Sequence, residues 1–180
     1  FYRAHWRSMS AGERGKVLYR FAEAVSRNVE SLAQLLTQET GKPRSAAQKE
    51  IENTAQTFWF YAGLADKISG QTINRSAEYL DFTLREPFGV TLHIGPWNFP
   101  LQLVARSCAP ALAAGNVALV KPPEEAPLTV LAFARLGFDI GLPRGLLQVL
   151  PGRGPEVGYA LARHPGIDHI SFTGSRETGT

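Results

Sequence analysis

The chain has 180 residues, of which 44% are hydrophobic and 19% charged, which is typical of a globular protein and excludes an intrinsically disordered chain. No apolar run reaches the roughly 18 residues of a bilayer-spanning helix, and the net charge of +3 comes without a basic stripe, so we expect neither a membrane nor a nucleic-acid partner. A single cysteine, Cys108, excludes an internal disulfide and favours a cytoplasmic location, since thiols stay reduced there.

The first third of the chain predicts three amphipathic helices. A capping-box pattern at residues 10–13 begins the first helix. The second helix is predicted to run from Asn28 to Gly41, because glycine is the residue that most often ends a helix. A similar cap pattern at 45–48 is predicted to open the third helix, which continues towards Gly70.

Two short strands are predicted next, at 72–73 and 79–85, from their partly alternating apolar residues. They separate two parts of different character. We therefore expect a helical arm over residues 1–70, a small hairpin region over 71–86, and a nucleotide-binding region over 87–180.

The nucleotide-binding region alternates apolar strands with amphipathic helices. The predicted strands are 90–94, 117–120, 146–150 and 167–172, and the predicted helices are 101–112, 127–140 and 156–163. Near-continuous apolar strands alternating with helices indicate a parallel sheet that is covered on both faces. The sequence therefore predicts an α/β fold with a doubly wound, parallel nucleotide-binding sheet.

Ligands of such sheets bind beyond the carboxyl ends of the strands, where the winding reverses. After the first strand comes Gly95-Pro96-Trp97-Asn98, in which proline restricts the backbone around an amide side chain. The Asn98 amide could donate hydrogen bonds to an oxyanion that forms on a carbonyl carbon. It could equally cap the helix that follows, and the spacing leaves both interpretations open.

After the second strand, Lys121 and Glu124 stand three residues apart on a turn that contains two prolines. This pair could bind a ribose diol, since carboxylates commonly accept hydrogen bonds from ribose hydroxyls. The alternative is a solvated charged turn.

The third and fourth strands are followed by glycine-containing loops that open helices. Residues 152–158 are glycine-rich but do not form the G-x-G-x-x-G pattern, so this match alone indicates only a turn. In the fourth loop, Ser175 could hold a phosphate with help from the helix dipole. The alternative is that Ser175 simply caps its helix.

In their order and spacing, these loops resemble the aldehyde dehydrogenase superfamily along essentially the whole chain. The family pattern P-W-N-[FY]-P is intact at 96–100. Further segments similar to the family are Arg14, 40–43, 110–116, 120–124, 127–129, 152–158 and 170–175.

The resemblance implies roles for several of these residues. Asn98 would stabilise the oxyanion, and Trp97 would border the passage for the phosphates and the nicotinamide. Lys121 and Glu124 would hold the adenosine ribose, and Ser175 would contact the pyrophosphate. The implied cofactor-binding set is completed by Gly95, Pro96, Gly154, Pro155, Gly158 and Gly174, of which residues 154, 155 and 158 would lie against the adenine.

The resemblance also implies that the chemistry needs residues beyond Thr180. The family's general base is a glutamate in a segment similar to E-L-G-G-K, and its nucleophile is a cysteine further along the chain. Cys108 is not a substitute, because it falls in a predicted buried helix. The histidines at 5, 93, 164 and 169 have no metal-ligand spacing, so no metal is expected.

By this resemblance, the chain is the NAD(P)-binding part of an enzyme that oxidises aldehydes to acids. The implied route is a cysteine thiohemiacetal, hydride transfer to NAD(P), and thioester hydrolysis. Glu124 favours NAD, with NADP as the alternative. The hairpin region would help to form a homo-oligomer. A non-catalytic nucleotide-binding module, or a reductive or coenzyme-A-dependent family member, is the alternative function.

Overall fold

A computed structural model describes residues 6–179. Three helices open the fold: α1 (Ala11–Arg27), α2 (Val29–Thr40) and α3 (Arg44–Leu64). The predicted capping box is confirmed at the start of α1, where the Ser10 N–H donates to the Glu13 carboxylate at 2.9 Å. Gly41 ends α2 in the left-handed conformation, with φ of 72°.

The predicted cap of the third helix is wrong. Pro43 occupies the N-cap position of α3 and makes no side-chain cap bond, whereas Ser45 lies inside the first turn. A proline whose φ of −54° already suits the entry to a helix can start α3 directly after the short connection from α2. The helix also ends at Leu64 rather than near Gly70.

Two strands, β1 (Thr72–Ser76) and β2 (Tyr79–Phe82), form an antiparallel hairpin. The pairing differs from the prediction, because β1 extends to Ser76 and β2 stops at Phe82. Phe82 lies opposite Thr72, where β1 begins, so residues 84 and 85 have no strand to pair with.

Four parallel strands form the main sheet: β3 (Val90–Ile94), β4 (Val117–Lys121), β5 (Leu147–Val149) and β6 (His169–Phe172). Their order is β5-β4-β3-β6, so the chain moves outward from β3 and then returns to its other side. This order confirms the doubly wound parallel sheet. The winding reverses between β3 and β6, which is where such folds form a ligand crevice.

Four helical segments connect or follow these strands. Helices α4 (Pro100–Ala113) and α5 (Leu128–Asp139) follow β3 and β4. A π-helical turn at Gly154–Gly158 leads into the short α6 (Tyr159–Ala162), so the predicted helix at 156–163 starts two residues earlier, in π geometry. The last element, α7, is Arg176–Gly179.

One hydrophobic core joins the helical arm to the sheet layer. Three buried rings meet in it, Phe21 from α1, Phe58 from α3 and Phe133 from α5, with ring centroids 4.7 to 5.6 Å apart. Edge and tilted contacts of this kind are favourable beyond the area that they bury. The arm is therefore part of the same packed body as α4 and α5.

His93 of β3 is a buried structural residue. The Thr91 hydroxyl donates to the Val117 carbonyl at 2.8 Å, so it can only accept from the His93 Nε2–H, also at 2.8 Å. Burial first, and the nearby His169 second, lower the pKa of His93 to about 4. The ring is therefore neutral at pH 7.

Among residues 6–179, no His, Cys, Asp and Glu side chains are grouped so that they could hold a metal ion.

Candidate functional site

The loops after β3 and β6 meet at the point where the winding reverses. They enclose a cleft of about 280 Å³. Its walls are Pro96, Trp97, Asn98, Leu103, Thr173, Gly174 and Ser175. The fold therefore brings together the first and fourth of the loops that the sequence singles out.

Two glycines beside this cleft have no room for a side chain. A Cβ on the buried Gly95 would lie 2.8 Å from a methyl group of Val104, and a Cβ on Gly174 would lie 2.5 Å from the ring of Phe172. At Gly95, glycine lets the backbone pass close to the buried Val104, whereas the Phe172 ring beside Gly174 is partly exposed.

Trp97 is a large aromatic side chain in contact with solvent. It is 63% exposed and borders two clefts, the one just described and a neighbouring one that Glu39 and Glu125 also line. An exposed indole at the crevice of an α/β sheet offers an apolar surface to a ligand.

The second and third loops are also in contact with each other. The Gly154 N–H donates to Oε2 of Glu124 at 2.8 Å, which joins the turn after β4 to the π-helical turn after β5. Within that turn, Pro155 is exposed and Gly158 is buried. The first loop adjoins the second, since the Gly95 N–H donates to the Lys121 carbonyl at 3.4 Å.

Lys121 ends β4 with only 5% of its surface exposed. It forms no salt bridge with any acidic residue in the part of the chain that the structure describes. A cation that is this buried needs polar partners.

Asn98 does not cap α4. Its Oδ1 accepts from the N–H of Phe99 at 3.0 Å, and Phe99 holds the N-cap position without a side-chain cap bond. The first turn of α4 is instead capped by Glu50, whose Oε1 accepts from the N–H groups of Leu101 and Gln102 at 3.1 and 3.2 Å. This geometry excludes the capping interpretation of Asn98, which lines the cleft between the first and fourth loops.

Carboxylates occupy three of the four helix beginnings at this edge of the sheet. Glu50 accepts backbone N–H groups at the start of α4. Glu39 accepts two backbone N–H groups at the start of α5, at 2.8 and 3.0 Å. Glu124 occupies the start of the π-helical turn. At α7 the cap is a neutral hydroxyl: Ser175 Oγ accepts from the Thr178 N–H at 3.3 Å.

Sequence reasoning missed Glu39 and Glu50. Glu50 carries a signal that could have revealed it, because this charged residue shares the core-facing side of α3 with Ala47, Ile51 and Thr54. A carboxylate on a buried helix face must find donors elsewhere in the fold. Glu39 gives no comparable signal, since it lies near the end of a surface helix.

Cys108 lies inside α4 and is fully buried. Burial raises the pKa of its thiol well above the ordinary value, so the side chain is neutral and unsuited to nucleophilic attack. Its predicted structural role is confirmed.

No helix within residues 6–179 combines the length and hydropathy needed to cross a bilayer.

Comparison with known proteins adds to this geometry. The sequence profile described as "Aldehyde dehydrogenase family" matches residues 2–180. Retinal dehydrogenase 2 from Homo sapiens is 45% identical over 175 residues, which are 97% of this chain and 34% of that protein. Hydroxyisobutyraldehyde dehydrogenase from Mycolicibacterium austroafricanum is 46% identical over 176 residues, with the same coverage of 97% and 34%.

A solved structure agrees over the same length. The NAD⁺ complex of an aldehyde dehydrogenase from Bacillus cereus has 41% sequence identity and a TM-score of 0.94, and the match covers 97% of this chain and 36% of that one. The chain thus spans about a third of the length of the proteins it matches.

Proposed function

This chain belongs to the aldehyde dehydrogenase family, and we propose that it supplies the NAD-binding part of an enzyme that oxidises an aldehyde to a carboxylic acid. The bound nicotinamide would serve as the hydride acceptor of that reaction. The residues of this chain would bind and orient the cofactor and stabilise charge on the reacting carbonyl.

The observation that carries the proposal is the charge pattern at the helix beginnings. A helix N-terminus normally attracts phosphate. At α4, α5 and the π-helical turn, however, a carboxylate already accepts the free N–H groups and would repel a pyrophosphate. The remaining position, after β6, is capped by the neutral Ser175 beside the cleft that contains Trp97 and Asn98, and the short helix there carries both Arg176 and Glu177. We therefore assign the pyrophosphate to Ser175 and Gly174.

The uncharged adenosine half of the cofactor suits the carboxylate-rich side of the same edge. Glu124 can accept hydrogen bonds from ribose hydroxyls while its Oε2 remains bonded to Gly154. Lys121, which forms no salt bridge with a described residue, would donate to the same sugar. The adenine would then lie against Gly154, Pro155 and Gly158, next to β5.

Asn98 is assigned to the oxyanion that forms when the aldehyde carbonyl is attacked. Its Oδ1 is held by the Phe99 N–H, and this bond fixes which face of the amide carries the donors. Donors that are already aimed at a developing negative charge lower the barrier without reorganising during the reaction.

The nucleophile and the general base are assigned to the part of the full-length protein that this chain does not include. The cysteine within the chain is buried and neutral. The 180-residue chain by itself is therefore proposed to bind the cofactor without oxidising an aldehyde.

A homo-oligomer is proposed for the full-length protein. Tyr79, Leu80 and Leu84, in and beside the hairpin, are between 72% and 79% exposed, and large apolar side chains grouped at a surface commonly mark an interface.

A cytoplasmic location is proposed from the use of a single, free cysteine.

Cofactor choice tests the assignment of Glu124. A carboxylate on the ribose should repel the 2′-phosphate of NADP, so we expect the full-length enzyme to prefer NAD. Glu124→Gln should reduce that preference by about five- to ten-fold in kcat/KM. The neighbouring Glu125→Gln is the matched control and should leave the preference unchanged. A KM lower for NADP than for NAD in the unsubstituted enzyme would show that Glu124 is wrongly assigned.

A further inference from the structure

Lys42, in the connection between α2 and α3, contacts the loop that contains Asn98. Its Nζ donates to the backbone carbonyl of Asn98 at 2.9 Å and lies 4.1 Å from the ring centroid of Phe99. Nζ also forms an ion pair with Glu50, and only 13% of the lysine side chain is exposed. One ammonium group thus contacts a carboxylate, a carbonyl and an aromatic face.

Glu50 completes this arrangement from α3. Its side chain is fully buried, Oε2 pairs with Lys42, and Oε1 accepts two N–H groups from the first turn of α4. A buried carboxylate is tolerated when its oxygens are paired in this way. The two residues therefore connect the helical arm to both sides of Phe99, the carbonyl before it and the helix turn after it.

We propose that Lys42 and Glu50 are positioning residues that hold the Asn98 backbone where its amide can meet the oxyanion. The proposal rests on the function proposed above for Asn98. Lys42 fixes the Asn98 carbonyl, and the Phe99 N–H fixes the Asn98 side-chain oxygen, so both ends of the residue are held. Hydrogen bonds to a transition state lose their benefit when the donor is displaced by as little as about 1 Å.

A double-mutant cycle in the full-length enzyme distinguishes this role from general structural support. Lys42→Met should lower kcat by about ten- to thirty-fold while changing the Kd for NAD less than about two-fold. In the Asn98→Ala background the same substitution should lower kcat less than about two-fold, because the group that it positions is already gone.

Arg44→Met is the matched control. Arg44 lies two residues away in the same region and pairs with Glu30 at the surface, without contacting the Asn98 loop. It should leave kcat unchanged in both backgrounds.

Lys42→Met leaves the Glu50 charge buried without its cation, so a second variant keeps the test interpretable. In Lys42→Met/Glu50→Gln, the glutamine oxygen can still accept the α4 N–H groups, and no charge is left unpaired. This variant should lose less thermal stability than Lys42→Met alone and show the same kcat loss.

Equal losses of kcat in the parent and Asn98→Ala backgrounds, or no loss in a folded variant, would overturn the positioning role alone. If Asn98→Ala itself leaves kcat unchanged, the oxyanion role fails and the positioning role fails with it.

Discussion

Replacing Asn98 with alanine in the full-length enzyme should lower kcat for aldehyde oxidation by about 10²- to 10³-fold, which is the usual effect of removing one oxyanion donor. The Kd for NAD should change much less than kcat, since the pyrophosphate is assigned to Ser175 and the adenosine ribose to Glu124, not to Asn98. The rate of aldehyde-dependent NADH formation, measured by absorbance, gives kcat directly.

Asn98→Asp is the control that separates donation from loop geometry. Aspartate has the same shape and can still accept from the Phe99 N–H, but an ionised carboxylate has no hydrogen to donate. It should be at least as impaired as the alanine variant. If Asn98→Asp retained most of the parent activity, Asn98 would serve only to shape the loop.

Replacing Phe58 with alanine should destabilise the fold by about 3–5 kcal/mol, the range for deleting a buried phenylalanine. Phe58 is fully buried and packs on Phe21 and Phe133. The centroid of its ring lies 5.0 Å from that of Phe21 and 5.6 Å from that of Phe133. The substitution would remove packing between the helical arm and the sheet layer. Urea unfolding, followed by circular dichroism, measures the change in the free energy of unfolding.

Phe60→Ala is the control for this substitution. Phe60 lies two residues further along α3 but is 61% exposed, so its removal should change the free energy of unfolding by about 0.5 kcal/mol or less. A loss near 1 kcal/mol for Phe58→Ala would mean that the arm and the sheet layer are stabilised independently.

The parts of the fold that follow local patterns were predictable from the sequence. Strand β3 has the predicted bounds of 90–94, because an apolar run followed by a proline-containing loop has few alternatives. The capping box of α1 involves residues only three positions apart. The length of the hairpin strands was less predictable, since it depends on which residues pair across the turn.

In the candidate site, too, some features follow from local sequence and others depend on contacts between distant residues. That its loops would meet follows from strand order, because the carboxyl ends of parallel strands lie on one edge. What caps α4 did not follow, since Glu50 and Leu101 are 51 positions apart. Only the folded arrangement shows that Glu50, and not Asn98, takes the capping role. The contact between Lys42 and Asn98, 56 positions apart, was equally invisible to local reasoning.

The most direct test of the account is hydrogen exchange of the full-length protein with and without saturating NAD, followed by mass spectrometry of its peptides. NAD should slow amide exchange in the segments 95–98, 121–124, 154–158 and 173–175, and leave the hairpin at Thr72–Ser76 unchanged. Unchanged exchange in those four segments at saturating NAD would contradict the claim that this edge of the sheet holds the cofactor.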